Sequence, residues 1–269
     1  MRELAKKFSY KANLDHLINV CIREYDLEKA ILGLLYQIGR IGHEQYQSYA
    51  DMPKEKRVVE IGCYMKTDKS LFDLTQTKMS EIRNSFLETN HIEDYQVLYI
   101  DNDSISIIDP KESVYKTDTR VTNFGEHIDF RIKNVYTSFY RLRGVDLLYN
   151  GITDSYRVKY GGIKLVESSK DGFLDLLLTL ANEAEHSLLD AMQTIKDAYT
   201  KYTNHELPIE YYREFNQQAR YKLKPGLAYT YYSDIIANIS PEDLDISYNA
   251  GLLNYLIRVI SKEYFRFTR

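Results

Sequence analysis

Tryptophan is absent from the 269 residues, and proline (5), cysteine (2) and glycine (12) are all scarce. With so little proline and glycine, no low-complexity linker divides the chain, and no internal repeat is present. The two cysteines, Cys21 and Cys63, show no CxxC spacing, so neither a disulfide framework nor a zinc site is expected. No run of 18 apolar residues occurs, so no membrane span is expected. The opening MRELAKKFSYKANLDH lacks the apolar centre of a secretory signal. A reducing cytoplasm is therefore the expected location, a host's cytoplasm if the chain is phage-encoded. The formal net charge of −4 excludes a uniformly basic surface, though not a local basic groove.

What is present is a folded protein's balance of 44% hydrophobic and 28% charged residues, in a length suited to one large domain or two small ones. Tyrosine is abundant, at 25 residues. Tyr, Ile, Asn and Lys enrichment without Trp is common where coding DNA is AT-rich, as in phages, mobile elements and low-GC hosts.

Apolar periodicity places the elements. Leu14–Tyr25 ends in a β-branched run around Ile18–Ile22 and reads as a strand in its later half. Leu27–Ile38 carries apolar residues at helical spacing, with Gly39 as its stop. Gly42–Lys69 is polar and basic, and Leu71–Thr89 reads as an amphipathic helix. Tyr95–Ile108 holds two short β-runs around Asp101-Asn102-Asp103-Ser104, a hairpin with acids at its tip. Strand-like runs follow at Ile128–Ile132, Val135–Leu142 and Tyr156–Val166. From Gly172 the pattern turns helical, at Phe173–Leu180, Ala184–Tyr202, Tyr211–Tyr221, Ala228–Ile239 and Leu252–Phe265. The expected fold class is α+β: an antiparallel sheet with packed helices over residues 1–170, then a helical region over 171–269.

Two acid-bearing strand ends stand out. Asp26 closes one strand, and Asp101 and Asp103 sit 75 and 77 positions later at the hairpin tip. If those strands pair antiparallel, the carboxylates meet and repel unless cations neutralise them. Mg²⁺ prefers one or two carboxylates together with substrate phosphates. Paired ions of that kind activate a 3′-hydroxyl and stabilise a leaving pyrophosphate.

These residues resemble the palm motifs of family-B DNA polymerases of the protein-primed phage type. YIDNDSI (Tyr99–Ile105) is similar to the third palm motif, with Asn102 where the family has Thr. EYDLEKAILGLL (Glu24–Leu35) is similar to the first, an Asp at a strand end followed by a helix. KNVY (Lys133–Tyr136) and RVKYGGIKL (Arg157–Leu165) are similar to the Lys-x-Tyr region and the later Val-Lys strand. The resemblance spans Ile18–Val166 and implies a palm with vestigial fingers at about 40–90 and a thumb-like helical tail.

The resemblance implies Asp26 and Asp103 as ligands of Mg²⁺ or Mn²⁺, with Asp101 supporting the site and Ser104 hydrogen-bonded near the hairpin. It also implies contact of Lys133 and Tyr136 with the primer-terminal backbone, and of Lys159 with the duplex or the acids. By charge and position, Lys54, Lys56, Arg57 and Lys66 are candidates for a triphosphate. The chain departs from the family in three respects. No exonuclease domain is expected ahead of Asp26. The fingers motif is missing, RNSF (Arg83–Phe86) being a fragment that belongs with the helix before the hairpin. Ile31 stands where the family has a sugar-gating tyrosine.

Each feature also has an ordinary structural reading. Asp-Asn-Asp-Ser makes a good turn, Asp26 could be a helix N-cap, and Lys54–Arg57 could be a solvated charge run. Tyr211-Tyr212 and Tyr231-Tyr232 could pack in a core or stack on bases. The six histidines are scattered without metal-ligand spacing and receive no role. The basic end, with Arg258, Lys262, Arg266 and Arg269, could track a nucleic-acid backbone or be a solvated helix face. Two functions are expected from this. One is a compact, metal-dependent nucleotidyltransferase acting on a DNA primer-template and dNTP, with an accessory chain as a further partner. The other is a catalytically inactive, palm-derived module that binds nucleic acid or protein.

Overall fold

The computed structural model describes residues 1–160, 163–164, 172–216, 220–225 and 240–267. The fold is α+β, and its chain contacts divide it into two compact units. Unit 1 comprises Met1–Asn13 and Cys21–Val135, and unit 2 comprises Leu14–Val20 and Tyr136–Arg269. The boundary suggested by periodicity, near residue 170, is therefore not where the contacts divide. The later strands belong with the helices that follow them.

In unit 1, strand β1 (Ser9–Lys11) is followed by β2 (His16–Leu27), which begins in unit 2, and by four helices: α1 (Ala30–Gln37), α2 (His43–Ala50), α3 (Lys54–Thr67) and α4 (Ser70–Thr89). The acid hairpin is β3 (Val97–Asp101) and β4 (Ser104–Asp109). The strand order is β1-β3-β4-β2, and every pairing is antiparallel. Alternation along the strands separates two faces. Tyr25 opposes Ile105 and Arg23 opposes Ile107 across β2 and β4. Tyr25, Leu27, Ile100, Ile105 and Ile107 share one core with Met79, Ile82, Phe86 and Leu87 of α4. The same alternation sends Asp26, Ser104 and Asp101 to the opposite face.

Helix α1 starts at Ala30, three residues later than its apolar spacing suggests. The delay has a local cause. The Leu27 amide donates to the Asp103 carbonyl at 2.9 Å and keeps the chain extended, and Lys29 then turns it in the left-handed region at φ 49°. Helices α2 and α3 occupy the polar stretch that showed no periodic signal. They bury little: Tyr46 is the fully buried residue of α2 and Ile61 that of α3. Val58 and Val59 of α3 remain 60% and 64% exposed.

Strand β5 (Phe130–Leu142) begins in unit 1 and continues into unit 2, merging two runs expected to be separate. It leads into β6 (Val145–Asn150), β7 (Ser155–Tyr160) and β8 (Ile163–Lys164), an antiparallel meander. All six residues of β6 are buried, so it lacks the alternation of a half-exposed strand. Helices α5 (Gly172–His186), α6 (Leu188–Thr203) and α7 (Ser247–Phe267) are the α-helices of the unit among the described residues. Their Phe173, Leu177, Ile195, Tyr202, Leu252 and Leu256 pack with Leu142, Val145 and Leu147.

The helix expected over Tyr211–Tyr221 is not formed in the described residues. A single 3-10 turn, Ile209–Tyr212, gives way to irregular chain, and Leu223 bridges to Leu244. The buried Asn249 side chain accepts from the Phe215 amide and donates to the Arg213 carbonyl, which competes with helical bonding. Tyr212 is 1% exposed and stacked on Tyr202 at 4.7 Å, so it is a core ring and not a base-stacking platform. Residues 226–239, which hold the expected helix Ala228–Ile239 and the Tyr231-Tyr232 pair, lie outside the described residues, as does the end of the run Tyr156–Val166.

Candidate functional site

The hairpin tip is built by a turn that suits its residues and by a helix that fastens it. Asn102 sits at φ 41°, a left-handed conformation that Asn tolerates and a β-branched residue does not. Arg83 of α4, 1% exposed, donates to the main-chain carbonyls of Ala5 at 3.0 Å and Asn102 at 2.6 Å. Gln76 donates to the Asn102 side chain at 3.3 Å. Burial pulls the Arg83 guanidinium down to about 10, so the anchor is held at an electrostatic cost. Ser104 donates to the Asp101 carbonyl at 3.3 Å and closes the turn.

Register then places the acids. Ser9, Asp101, Ser104 and Asp26 form one cross-strand row, since Asp101 opposes both Ser9 and Ser104, and Ser104 opposes Asp26. Asp101 is therefore two strand spacings from Asp26, about 9.5 Å between backbones. Asp103, in the turn, is the acid brought beside Asp26. The Asp103 carboxyl is pushed above the usual carboxylate range by burial first and by the neighbouring Asp26 charge second, against the pull of Lys133. Lys133 pairs with Asp26 at 3.0 Å, with both side chains partly open to solvent (46% and 31% exposed). Asp26 is not a helix cap: Lys29 holds that position, with no side-chain capping bond.

Asp26 and Asp103 line one cleft of about 480 Å³, within the range of small-molecule sites. The chain from Leu27 to Leu32 forms its floor, and α3 forms the facing wall. Lys54, Arg57, Val58, Ile61, Gly62 and Met65 reach it from α3, the one face of a helix selected by spacings of three and four. Lys56 and Lys66 project from other faces, are exposed, and do not line the cleft. Of the four cations expected near a triphosphate, the structure thus brings two, Lys54 and Arg57, to the acids. Arg57 also makes long bonds to the Ala50 and Met52 carbonyls at 3.3 and 3.4 Å. Ile31 presents an aliphatic wall.

Two expected backbone contacts fare differently. Tyr136 is 3% exposed and Lys159 is 2% exposed, both in unit 2. Lys159 opposes the fully buried Asp146 across β6 and β7, and Asp146 in turn pairs with Arg141 at 3.2 Å. A cation taken out of water must be near an anion, and the cross-strand Asp146 is the acid that register places opposite it; at 2% exposure Lys159 is not open to a nucleic-acid surface. Tyr136 offers no open ring for a backbone contact.

Sequence reasoning missed Glu28 and Lys29, which also line the cleft. They directly follow the Asp26-Leu27 pair, in the two-residue connection between β2 and α1. Glu28 is held by Arg131 at 2.6 Å. The lining charges balance at three acids (Asp26, Glu28, Asp103) and three bases (Lys29, Lys54, Arg57).

A family model described as bacteriophage PBS1 gene 130 protein matches residues 1–264, and the chain belongs to that family. No curated protein matches the chain. No helix among the described residues is long and apolar enough to cross a membrane.

Proposed function

We propose that this phage protein is a compact nucleotidyltransferase with a polymerase-like palm, extending a nucleic-acid 3′ end in the host cytoplasm. The observation that carries the reading is the convergence of Asp26 and Asp103 on one cleft, faced by Lys54 and Arg57 on α3. Two carboxylates in mutual repulsion, with open space before them, are the donor chemistry that a hard divalent cation relieves. Asp26 and Asp103 would hold Mg²⁺ or Mn²⁺, which when bound supplies Lewis-acid activation of the attacking hydroxyl and charge neutralisation on the phosphates.

The chain's own residues do the rest. Lys54 and Arg57 bind and orient the triphosphate by charge-assisted hydrogen bonds, Arg57 giving up its long carbonyl contacts for a better acceptor. Lys133 pairs with the Asp26 carboxylate and turns to a phosphate when that pair is displaced. Ile31 shapes the pocket wall by packing alone, with no hydroxyl to read a sugar. The Arg83 anchor keeps the Asp103 backbone in place, so little reorganisation is needed when charge develops.

The test is nucleotide incorporation on a primer-template with Mg²⁺ or Mn²⁺. Asp26→Asn and Asp103→Asn should each lower it by about 100-fold or more, as loss of a principal electrostatic group does. Retained activity in either variant removes the proposal. The Lys133–Asp26 ion pair favours a second reading, in which the acid is permanently neutralised and the protein is a non-catalytic binding module. Wild-type binding of single-stranded DNA without incorporation or cation binding would select that reading.

A further inference from the structure

We propose that His43, Glu126 and His127 form a binding site for a transition-metal ion of the Zn²⁺ class, separate from the acidic cleft. The three residues offer one ligand atom each, and these atoms lie within 4.8 Å of one another. The sequence conceals the site, since His43 and His127 are 84 positions apart. All three belong to unit 1.

The donors converge without satisfying each other. Glu126 Oε1 lies 3.5 Å from His127 Nε2 and 3.9 Å from His43 Nδ1, both too long for hydrogen bonds. His127 Nε2 is shielded from solvent and makes no hydrogen bond among the described residues. Around a tetrahedral ion with bonds of about 2.0–2.1 Å, ligand atoms stand roughly 3.3 Å apart. The two distances to Glu126 exceed that by only about 0.2 and 0.6 Å, and the whole set, within 4.8 Å, closes by moving one ligand. His43 can make that move, because its side chain is 66% exposed at the first turn of α2.

The surroundings are those of a prepared site. Glu126 Oε2 accepts from the Tyr36 hydroxyl at 2.9 Å, and its main-chain carbonyl accepts from Gln37 at 2.9 Å, which turns Oε1 toward the two imidazoles. Metal-ligating carboxylates are typically held by such outer partners. The His127 ring is stacked on Tyr46, centroids 3.6 Å apart and 10° from parallel, with Tyr36 edge-on at 5.0 Å. Its backbone sits at φ 63°, a conformation costly for most non-glycine residues. Gly33 lets the His127 backbone lie close against α1: a Cβ there would come within 2.5 Å of the His127 carbonyl oxygen.

Two nitrogen donors and one oxygen suit Zn²⁺, Co²⁺ or Ni²⁺, whereas Mg²⁺ takes oxygen donors. Three protein ligands leave a position for water. Bound there, the ion ties the start of α2 to the loop before β5. Helix α3 begins after only three intervening residues, Asp51–Pro53, so the tie also steadies the wall that carries Lys54 and Arg57.

The proposal does not depend on nucleotidyl transfer, and its test is direct. The full chain, stripped with chelator, is titrated with Co²⁺, read by its visible absorption, and then with Zn²⁺ in competition. We expect one equivalent bound at micromolar concentration and a rise in thermal midpoint on adding Zn²⁺. His43→Ala and Glu126→Gln should each weaken binding at least about tenfold, more than loss of a mere outer partner. Asp103→Asn should leave it unchanged, which separates this site from the cleft. Binding that appears only at millimolar metal, or that His43→Ala and Glu126→Gln leave intact, overturns the assignment. Because His43 and Glu126 are exposed, both variants should fold.

Discussion

Asp103→Asn should make the protein more stable while removing the activity proposed for it. The Leu27 amide bonds to the Asp103 carbonyl, so the backbones that carry Asp26 and Asp103 run about 5 Å apart, and that spacing serves as the charge separation. Two unit charges at that distance repel by about 1–3 kcal/mol for effective dielectric constants between water's and about 20. Lys133 and partial solvent access offset part of this, so the net gain in the variant should be about 1 kcal/mol. That corresponds to a rise of roughly 2–4 °C in thermal midpoint for a chain of this size class. The pH dependence follows from the direction of the shift. Asp103 is held above the usual carboxylate range, so the folded chain keeps this proton to higher pH than the unfolded chain. Its contribution to stability is present at low pH and is lost as pH rises through that range. The advantage of Asp103→Asn should therefore be full at mildly alkaline pH and vanish in acid. Thermal unfolding of both proteins across that range is the assay, repeated with Mg²⁺ or Mn²⁺, which should raise the wild-type midpoint and not the variant's. A variant less stable than wild type at alkaline pH, or a gap that persists in acid, would refute the convergence of the two acids.

Three further outcomes are expected. Arg83→Leu strands the Ala5 and Asn102 carbonyls, at about 1–3 kcal/mol each. Relief of a poorly solvated charge offsets part of that, so denaturant titration should show a net loss of about 2 kcal/mol. Asp109→Asn deprives two buried or near-buried guanidiniums, Arg23 at 2.8 Å and Arg120, of their shared carboxylate and should cost about 3–5 kcal/mol by the same measurement. Arg57→Ala should raise the KM for nucleotide more than it lowers kcat, as removal of a ground-state phosphate contact does, while Lys56→Ala should change neither.

The hairpin was legible because its signal is local. Alternating Ile105 and Ile107, an Asn able to take φ 41° and flanking β-runs leave the chain few alternatives between Val97 and Asp109. The meeting of Asp26 with Asp103 was half legible: each strand end shows its acid, but their adjacency depends on β4 lying beside β2. Helices α2 and α3 were not legible, because the apolar stripe that reveals a helix is nearly absent from elements burying one residue each. Lys159 was misplaced for a related reason. A lysine reads as a surface charge until its cross-strand neighbour is known, and here that neighbour is the buried Asp146.

What the linear chain decided alone was whatever depends on a few consecutive residues: the α+β alternation, the acid-tipped turn, the long helix α4 and the side of each strand that carries its acids. Tertiary structure decided which distant groups became neighbours. It kept Lys54 and Arg57 at the cleft and turned Lys56 and Lys66 away, and it drew His43 to His127 across 84 residues. The reason lies in range. Backbone preference and alternation act over a few residues, whereas the register of paired strands and the packing of helices on them fix separations between side chains that no spacing along the sequence records.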